Sequence, residues 1–203
     1  MRGYYFITDA GLSRAGDRAD VSAAVSTGVD VVQYRLKNAS SRQMFDEAAE
    51  LAALCRGKTL FLVNDRVDIA AAVNADGVHI GQEDLSYAAA RRILGSRKII
   101  GVTVHNLDEA LEAQQLGADY LGVSPIFTTA TKPDAGAPAG PALIRQIKAA
   151  VTIPVVAIGG IHLENAPSVI EAGADCLCAI SAVVTRPDVA EAIRHFQRLY
   201  KGK

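Results

Sequence analysis

Gly117-Ala118-Asp119-Tyr120-Leu121-Gly122-Val123 joins the end of an amphipathic stretch to the start of a short apolar run, and the junction recurs in the chain. Gly28-Val29-Asp30, Asn74-Ala75-Asp76 and Gly173-Ala174-Asp175 stand at boundaries of the same kind. Gly or Asn where a helical pattern stops fits a left-handed C-cap, and the Asp two residues on opens the next strand. The junctions return about every two strand–helix units, which points to a closed, internally repeated barrel and away from a doubly wound open sheet.

Working outward, eight short runs read as strands: Tyr4 to Thr8, Val31 to Tyr34, Leu60 to Val63, Gly77 to Ile80, Ile99 to Val102, Tyr120 to Val123, Val155 to Ile158 and Cys176 to Ile180. Between them lie patterns with apolar residues at three- and four-residue steps, such as Met44 to Cys55, Leu107 to Gln115, Pro141 to Ala150, Ala166 to Ala172 and Val189 to Tyr200. The alternation predicts an α/β protein, a single (β/α)₈ TIM-barrel domain over residues 1–203. A barrel this small has little room for insertions, so the stretch from Ser124 to Gly140, SPIFTTATKPDAGAPAG, carries weight as a mobile loop after the sixth strand.

The chain is 50% apolar, and its 21 basic and 22 acidic residues are dispersed along it. No basic patch favours nucleic acid or an anionic membrane, so the expected partner is a small molecule. Met1 to Asp9 has no small-residue cleavage site, and no apolar run reaches the roughly 18 residues of a membrane span. Three cysteines, Cys55, Cys176 and Cys178, make no disulfide framework and fit a reducing cytoplasm. Oligomeric state is not legible, and a homodimer stands as a guess.

Barrels of this kind place their active sites at the C-terminal ends of the strands. There the sequence sets Asp9, then Gln33, Arg35 and Lys37, then Asn64, Asp65 and Arg66, then His79 running to Gln82, Glu83 and Asp84. Thr103 and His105 follow the fifth strand, Thr129, Thr131 and Lys132 lie in the long loop, Gly159-Gly160 closes the seventh strand, and Ser181 closes the eighth. Asp65 and Asp84 are hard oxygen donors suited to Mg²⁺, with Arg35 and Lys37 to carry the remaining charge of a diphosphate. A helix cap or turn is the structural alternative for both aspartates, and a barrel ion pair is as good a reading for Arg35 taken alone. Gly159-Gly160 with Ser181 fits a monophosphate site, against a bare tight turn. Two anion sites of different size at one mouth suggest an enzyme that joins a diphosphate to a phosphate ester.

Several of these pieces, in this order, resemble the thiamine-phosphate synthase family from Tyr4 to Ser181: Gln33-x-Arg35-x-Lys37, Asn64-Asp65-Arg66, His79-Ile80-Gly81-Gln82-Glu83-Asp84, Thr129-x-Thr131-Lys132 and Ile158-Gly159-Gly160-Ile161. The resemblance implies a transferase of thiamine biosynthesis that couples an aminopyrimidine methyl diphosphate to a thiazole phosphate, or its carboxylated form, with release of pyrophosphate. It implies that Gln33, Arg35, Lys37, Asn64, Thr103 and Lys132 contact the pyrimidine diphosphate, Lys132, Arg35, Lys37 and Thr103 being the catalytic group. It implies Mg²⁺ on Asp65 and Asp84, and Thr129, Ala130, Thr131, Gly160, Ile180 and Ser181 around the thiazole phosphate. In the family the pyrophosphate leaves first, and the thiazole nitrogen captures a pyrimidine-methyl cation. Leu36, Thr103 and Ser124 depart from common family residues; the expectations are that Leu36 faces outward, Thr103 keeps the hydroxyl, and Ser124 narrows the mouth. A thiazole tautomerase would use His105 as its base, and a phosphate-binding regulator would bind without turnover. The tautomerase has no need of the Asp65 and Asp84 pair, the Arg35 and Lys37 pair, or Lys132.

Overall fold

The computed structural model of the chain describes residues 1–131 and 136–200. Eight parallel strands close into a barrel in sequence order: β1 (Gly3–Ile7), β2 (Val31–Tyr34), β3 (Leu60–Asn64), β4 (Gly77–Ile80), β5 (Ile99–Val104), β6 (Tyr120–Val123), β7 (Val155–Ile158) and β8 (Cys176–Cys178), which pairs back onto β1. The helices are α1 (Asp17–Ser26), α2 (Ser41–Cys55), α3 (Val67–Ala72), α4 (Tyr87–Leu94), α5 (Leu107–Leu116), α6 (Gly140–Ala150), α7 (Ala166–Glu171), α8 (Ile180–Val184) and α9 (Val189–Arg198). The predicted (β/α)₈ barrel is the observed fold.

Parallel strands buried on both faces need apolar residues at nearly every position, and these strands have them. Alternate residues divide between two cores. Phe6, Val32, Val63, Ile100, Leu121 and Leu177 face the helices, while Tyr5, Ile7, Val31, Leu62, Tyr120, Val156, Cys176 and Cys178 pack inside the barrel. The three cysteines are free and buried, and burial pushes the Cys55 and Cys176 thiols up to about 12. Among the described residues no helix is long and apolar enough to cross a membrane.

The junction motif explains itself in three dimensions. Gly28, Asn74, Gly117 and Gly173 all have positive φ, from 53° at Asn74 to 103° at Gly173, as a left-handed helix end requires. The Asp that follows then turns its carboxylate sideways. Asp30 accepts from the Arg2 N–H at 2.9 Å, Asp76 from Phe61 N–H at 2.8 Å, Asp119 from Ile100 N–H at 2.7 Å and Asp175 from Val155 N–H at 2.8 Å. Each aspartate precedes an even-numbered strand and ties down the start of the odd-numbered strand before it. That pairing is why the motif recurs every second unit.

Some boundaries move. β1 ends at Ile7, not Thr8, whereas β3 and β5 run on to Asn64 and Val104. The eighth strand does not extend to Ile180: the chain turns at Ala179 (φ −130°, ψ 75°) into α8, so Ile180 and Ser181 belong to a helical first turn. The long loop is pinned at its ends, with Ile126 N–H on Ile158 O, Phe127 N–H on Gly159 O, and Gly140 N–H on Ile126 O.

Candidate active site

At the C-terminal ends of the strands lies a cavity of about 360 Å³, within the range for small-molecule sites. Its two sides differ. On the β2–β4 side the walls are charged: Arg35, Lys37, Asn64, Asp65 and Asp84. On the β6–β8 side they are hydroxyls, glycines and apolar groups: Thr129, Thr131, Gly160, Ile180 and Ser181. Gln33 and Thr103 line the space between these sides with His79.

The charged side is built by backbone geometry. Asp65 has φ 62°, a left-handed conformation that Asp tolerates better than most residues, and its N–H bonds His79 O at 2.8 Å. This turn holds the Asp65 carboxylate against the β4 loop, where Asp84 accepts from Gly81 N–H at 2.7 Å and comes within hydrogen-bonding reach of Asp65. Partial burial and, after it, the neighbouring Asp65 raise the Asp84 pKa, against the lowering effect of the Gly81 N–H. Lys37 Nζ lies 2.5 Å from Asp65 Oδ2, and Arg35 Nη1 lies 3.2 Å from Asp9 Oδ2. Two carboxylates facing each other beside two cations form an arrangement in which a bound divalent ion relieves repulsion and a bound diphosphate engages the cations. Among the described residues no group of three His, Cys, Asp or Glu side chains is placed to hold a metal, so a metal here would complete its shell with water or ligand oxygens. Asp84 does close a turn through Gly81 N–H, and Arg35 makes the barrel ion pair that was its alternative reading.

The opposite side depends on close backbone approach. A Cβ on Gly160 would lie 2.4 Å from Thr128 O, and one on Gly159 2.8 Å from Pro125 Cα. The Gly159-Gly160 pair thus lets the long loop lie across the end of β7, which a tight turn alone does not require. Thr131 N–H donates to Thr129 Oγ1 at 3.3 Å, and both residues face the cavity. Ala130 departs from the expectation. It is exposed and outside the wall, because the turn between the two threonines carries it outward. Lys132 lies outside the described residues.

Other residues fall where their local partners pull them. Arg66 leaves the mouth for Asp68 at 2.6 Å and Ser41 Oγ at 2.8 Å. Gln82 Nε2 donates to Thr103 O at 2.6 Å, fastening the β4 loop to β5. Leu36 packs against the helix-side core, the outward position expected of it, and Ser124 lines the cavity. His105 reaches the cavity edge with Nδ1 3.1 Å from Glu109 Oε2. Sequence reasoning missed Tyr5 and Tyr120, whose hydroxyls meet at 2.7 Å inside the barrel. The available signal was two tyrosines at inward positions of the period-two pattern.

Comparisons with known proteins agree with this geometry. A family model described as thiamine monophosphate synthase matches residues 4–183. A thiamine-phosphate synthase of Methanosarcina mazei is 55% identical over 193 residues, covering 95% of this chain and 80% of the relative. One from Chloroflexus aurantiacus is 55% identical over 197 residues, 96% of this chain and 91% of its own. Among solved structures, the thiamine phosphate pyrophosphorylase of Pyrococcus furiosus superposes with a TM-score of 0.89 at 41% identity, over 97% of this chain and 94% of that one. The family model spans the chain from β1 into α8, and on that footing the chain belongs to the thiamine monophosphate synthase family.

Proposed function

We propose that the cavity catalyses the transfer of an aminopyrimidine-methyl group from its diphosphate to the ring nitrogen of a thiazole phosphate, giving thiamine phosphate and pyrophosphate. The carrying observation is the division of one cavity into a cation- and carboxylate-lined side and a hydroxyl- and glycine-lined side. That division suits two substrates with unequal anionic ends. Arg35 and Lys37 would exchange their present partners, Asp9 and Asp65, for diphosphate oxygens, Arg as a fork and Lys as a point charge. Asn64 would hold the same diphosphate, with Lys132 as a further cation. Asp65 and Asp84 would hold Mg²⁺, which when bound supplies positive charge to the leaving pyrophosphate.

In the transfer the bond between the pyrimidine methylene carbon and the diphosphate oxygen breaks, and its electron pair leaves with pyrophosphate. The thiazole nitrogen lone pair forms the new carbon–nitrogen bond. No protein nucleophile and no proton transfer are needed, so these residues act by position and electrostatics. Gln33 and Thr103 orient the aminopyrimidine, whose amino group supplies electron density to the methylene. Thr129, Thr131, Gly160 and Ser181 would take the thiazole phosphate through hydroxyls and backbone N–H groups. Ile180 gives the thiazole an apolar wall. A cytoplasmic location fits three buried cysteines left as thiols.

The test is coupling with purified protein, both substrates and Mg²⁺, following pyrophosphate and thiamine phosphate together with and without a chelator. The expected result is equal formation of both products, abolished by the chelator. Tight binding of the thiazole phosphate with no product would overturn the synthase reading.

A further inference from the structure

A chain of polar groups crosses the barrel interior and joins two residues of the cavity. Gln33 Nε2 lies 2.8 Å from Tyr5 Oη, Tyr5 Oη 2.7 Å from Tyr120 Oη, Tyr120 Oη 2.8 Å from His79 Nδ1, and His79 Nε2 2.8 Å from Thr103 Oγ1. Both ends, Gln33 and Thr103, line the cavity. Tyr5 and Tyr120 are sealed, each 1% exposed, while His79, 5% exposed, reaches the cavity wall beside Thr103.

The barrel is shaped around this chain. In the strand register Gly101 of β5 lies between His79 of β4 and Tyr120 of β6. A Cβ on Gly101 would come 2.0 Å from Tyr120 Cζ, and one on Gly122 2.9 Å from His79 Cε1. Two inward positions are thus kept free of side chain, and the rings stack in the space with centroids 5.4 Å apart and planes at 28°. Apolar residues would fill the same volume without any hydrogen bonds to satisfy, so the polar chain is a specific provision.

We infer that Tyr5, Tyr120 and His79 form a hydrogen-bond relay that locks Gln33 and Thr103 in opposite senses, so that the cavity selects a pyrimidine edge bearing a donor and an acceptor and rejects the same edge with the two exchanged. The inference rests on the reading that these two residues meet the aminopyrimidine. Each hydroxyl carries one hydrogen, and burial, raising the pKa of both tyrosines, keeps it there. The Gln33 amide nitrogen only donates, so Tyr5 must spend its hydrogen on Tyr120, and Tyr120 must spend its own on His79 Nδ1. A singly protonated imidazole then carries its hydrogen on Nε2 and donates to Thr103. What remains is an acceptor at Gln33, its amide oxygen, and a donor at Thr103, its hydroxyl hydrogen. Reversal requires the amide, three hydroxyls and the imidazole tautomer to change together. An aminopyrimidine, with an amino donor and a ring-nitrogen acceptor, matches this pair. The corresponding oxopyrimidine, with a ring N–H donor and a carbonyl acceptor, opposes it. Tyr5, Tyr120 and His79 are positioning residues here and do not touch the reacting atoms.

The experiment measures dissociation constants of the aminopyrimidine diphosphate and its oxopyrimidine counterpart for wild type and Tyr120→Phe, with Mg²⁺ and without thiazole phosphate, and uses inorganic pyrophosphate as the common control. Wild type should favour the amino compound by ~100-fold or more, since a mismatched edge leaves buried polar groups unpaired. Tyr120→Phe keeps the ring and cuts the relay, so the preference should fall below ~10-fold while pyrophosphate binding stays unchanged. A preference retained in Tyr120→Phe, or absent from wild type that binds the amino compound, overturns the relay and leaves the synthase reading standing. Failure of wild type to bind the amino compound overturns the aminopyrimidine reading itself. Nitrogen NMR of the wild-type histidines, four in all, tests the relay even if the variant fails to fold. His79 should be protonated on Nε2 alone, and an Nδ1–H or doubly protonated ring overturns the assigned sense.

Discussion

The two ends of the barrel use the same residue in opposite ways. At the N-terminal end Asp30, Asp76, Asp119 and Asp175 each accept a backbone N–H at the start of a strand, and Arg91 and Lys148 add ion pairs to Asp119 and Asp175 at 3.0 and 2.8 Å. At the C-terminal end the carboxylates crowd. Asp65 stands near Asp84, and at the start of α1 the partly buried Asp17 lies close to the charges of Asp20 and Glu47. Carboxylates satisfied by backbone stabilise the strand pairs, whereas carboxylates near one another disfavour each other's charge, which adds to burial in raising the Asp84 pKa. The fold is secured at one end and chemically poised at the other.

The largest expected effect is at the mouth. Asp65→Ala and Asp84→Ala should each lower kcat/KM by ~100-fold or more in the coupling assay, as expected when charge stabilisation of a leaving group is lost. Asp65→Ala also gives up the Lys37 pair and Asp84→Ala the Gly81 N–H acceptor, while both relieve like-charge repulsion, so the loss of rate should far exceed any fall in melting temperature. A wild-type rate in either variant would remove that residue from the site.

At the other end the effect should invert. Asp119→Ala leaves the Ile100 N–H without its acceptor and removes the carboxylate that Arg91 pairs with, and should cost about 1–3 kcal/mol. In a chain of this length that is a fall in melting temperature of roughly 3–10 °C, read by calorimetry. The kcat/KM of the folded variant should remain within about twofold of wild type, since conservation of the C-terminal face preserves the site. A lost rate without lost stability would erase the contrast between the ends.

The smallest effect sharpens the contrast through pH. Burial, then the charges of Asp20 and Glu47, raise the Asp17 pKa from 3.8 to about 6. The folded state therefore holds this proton more tightly than the unfolded chain, so the stability it contributes is full below 3.8 and lost as pH rises through about 6. Asp17→Asn removes that dependence. Its melting temperature should gain on wild type as pH rises from about 4 to about 7, and a constant difference across that range would show that Asp17 is not the titrating group.

Much of this was legible from residue order. The Gly or Asn junctions announced left-handed helix ends because few other residues accept positive φ, and strict alternation of apolar runs with amphipathic stretches left a closed (β/α)₈ barrel as the economical fold. The polar strand ends named most of the cavity wall, since this fold brings all eight to one face. Leu36 turns outward, as expected of it.

Only the tertiary structure decided what depends on two segments meeting. That Asp30, Asp76, Asp119 and Asp175 cap the preceding strands, that Ala130 leaves the wall its neighbours form, and that Ile180 opens a helix after β8 could not be read locally. The relay from Gln33 to Thr103 draws its links from β1, β2, β4, β5 and β6, residues 5 to 120. Periodicity says which side chains point inward, but hydrogen bonds require contact within about 3 Å, and that distance is set by barrel closure and by the missing side chains at Gly101 and Gly122.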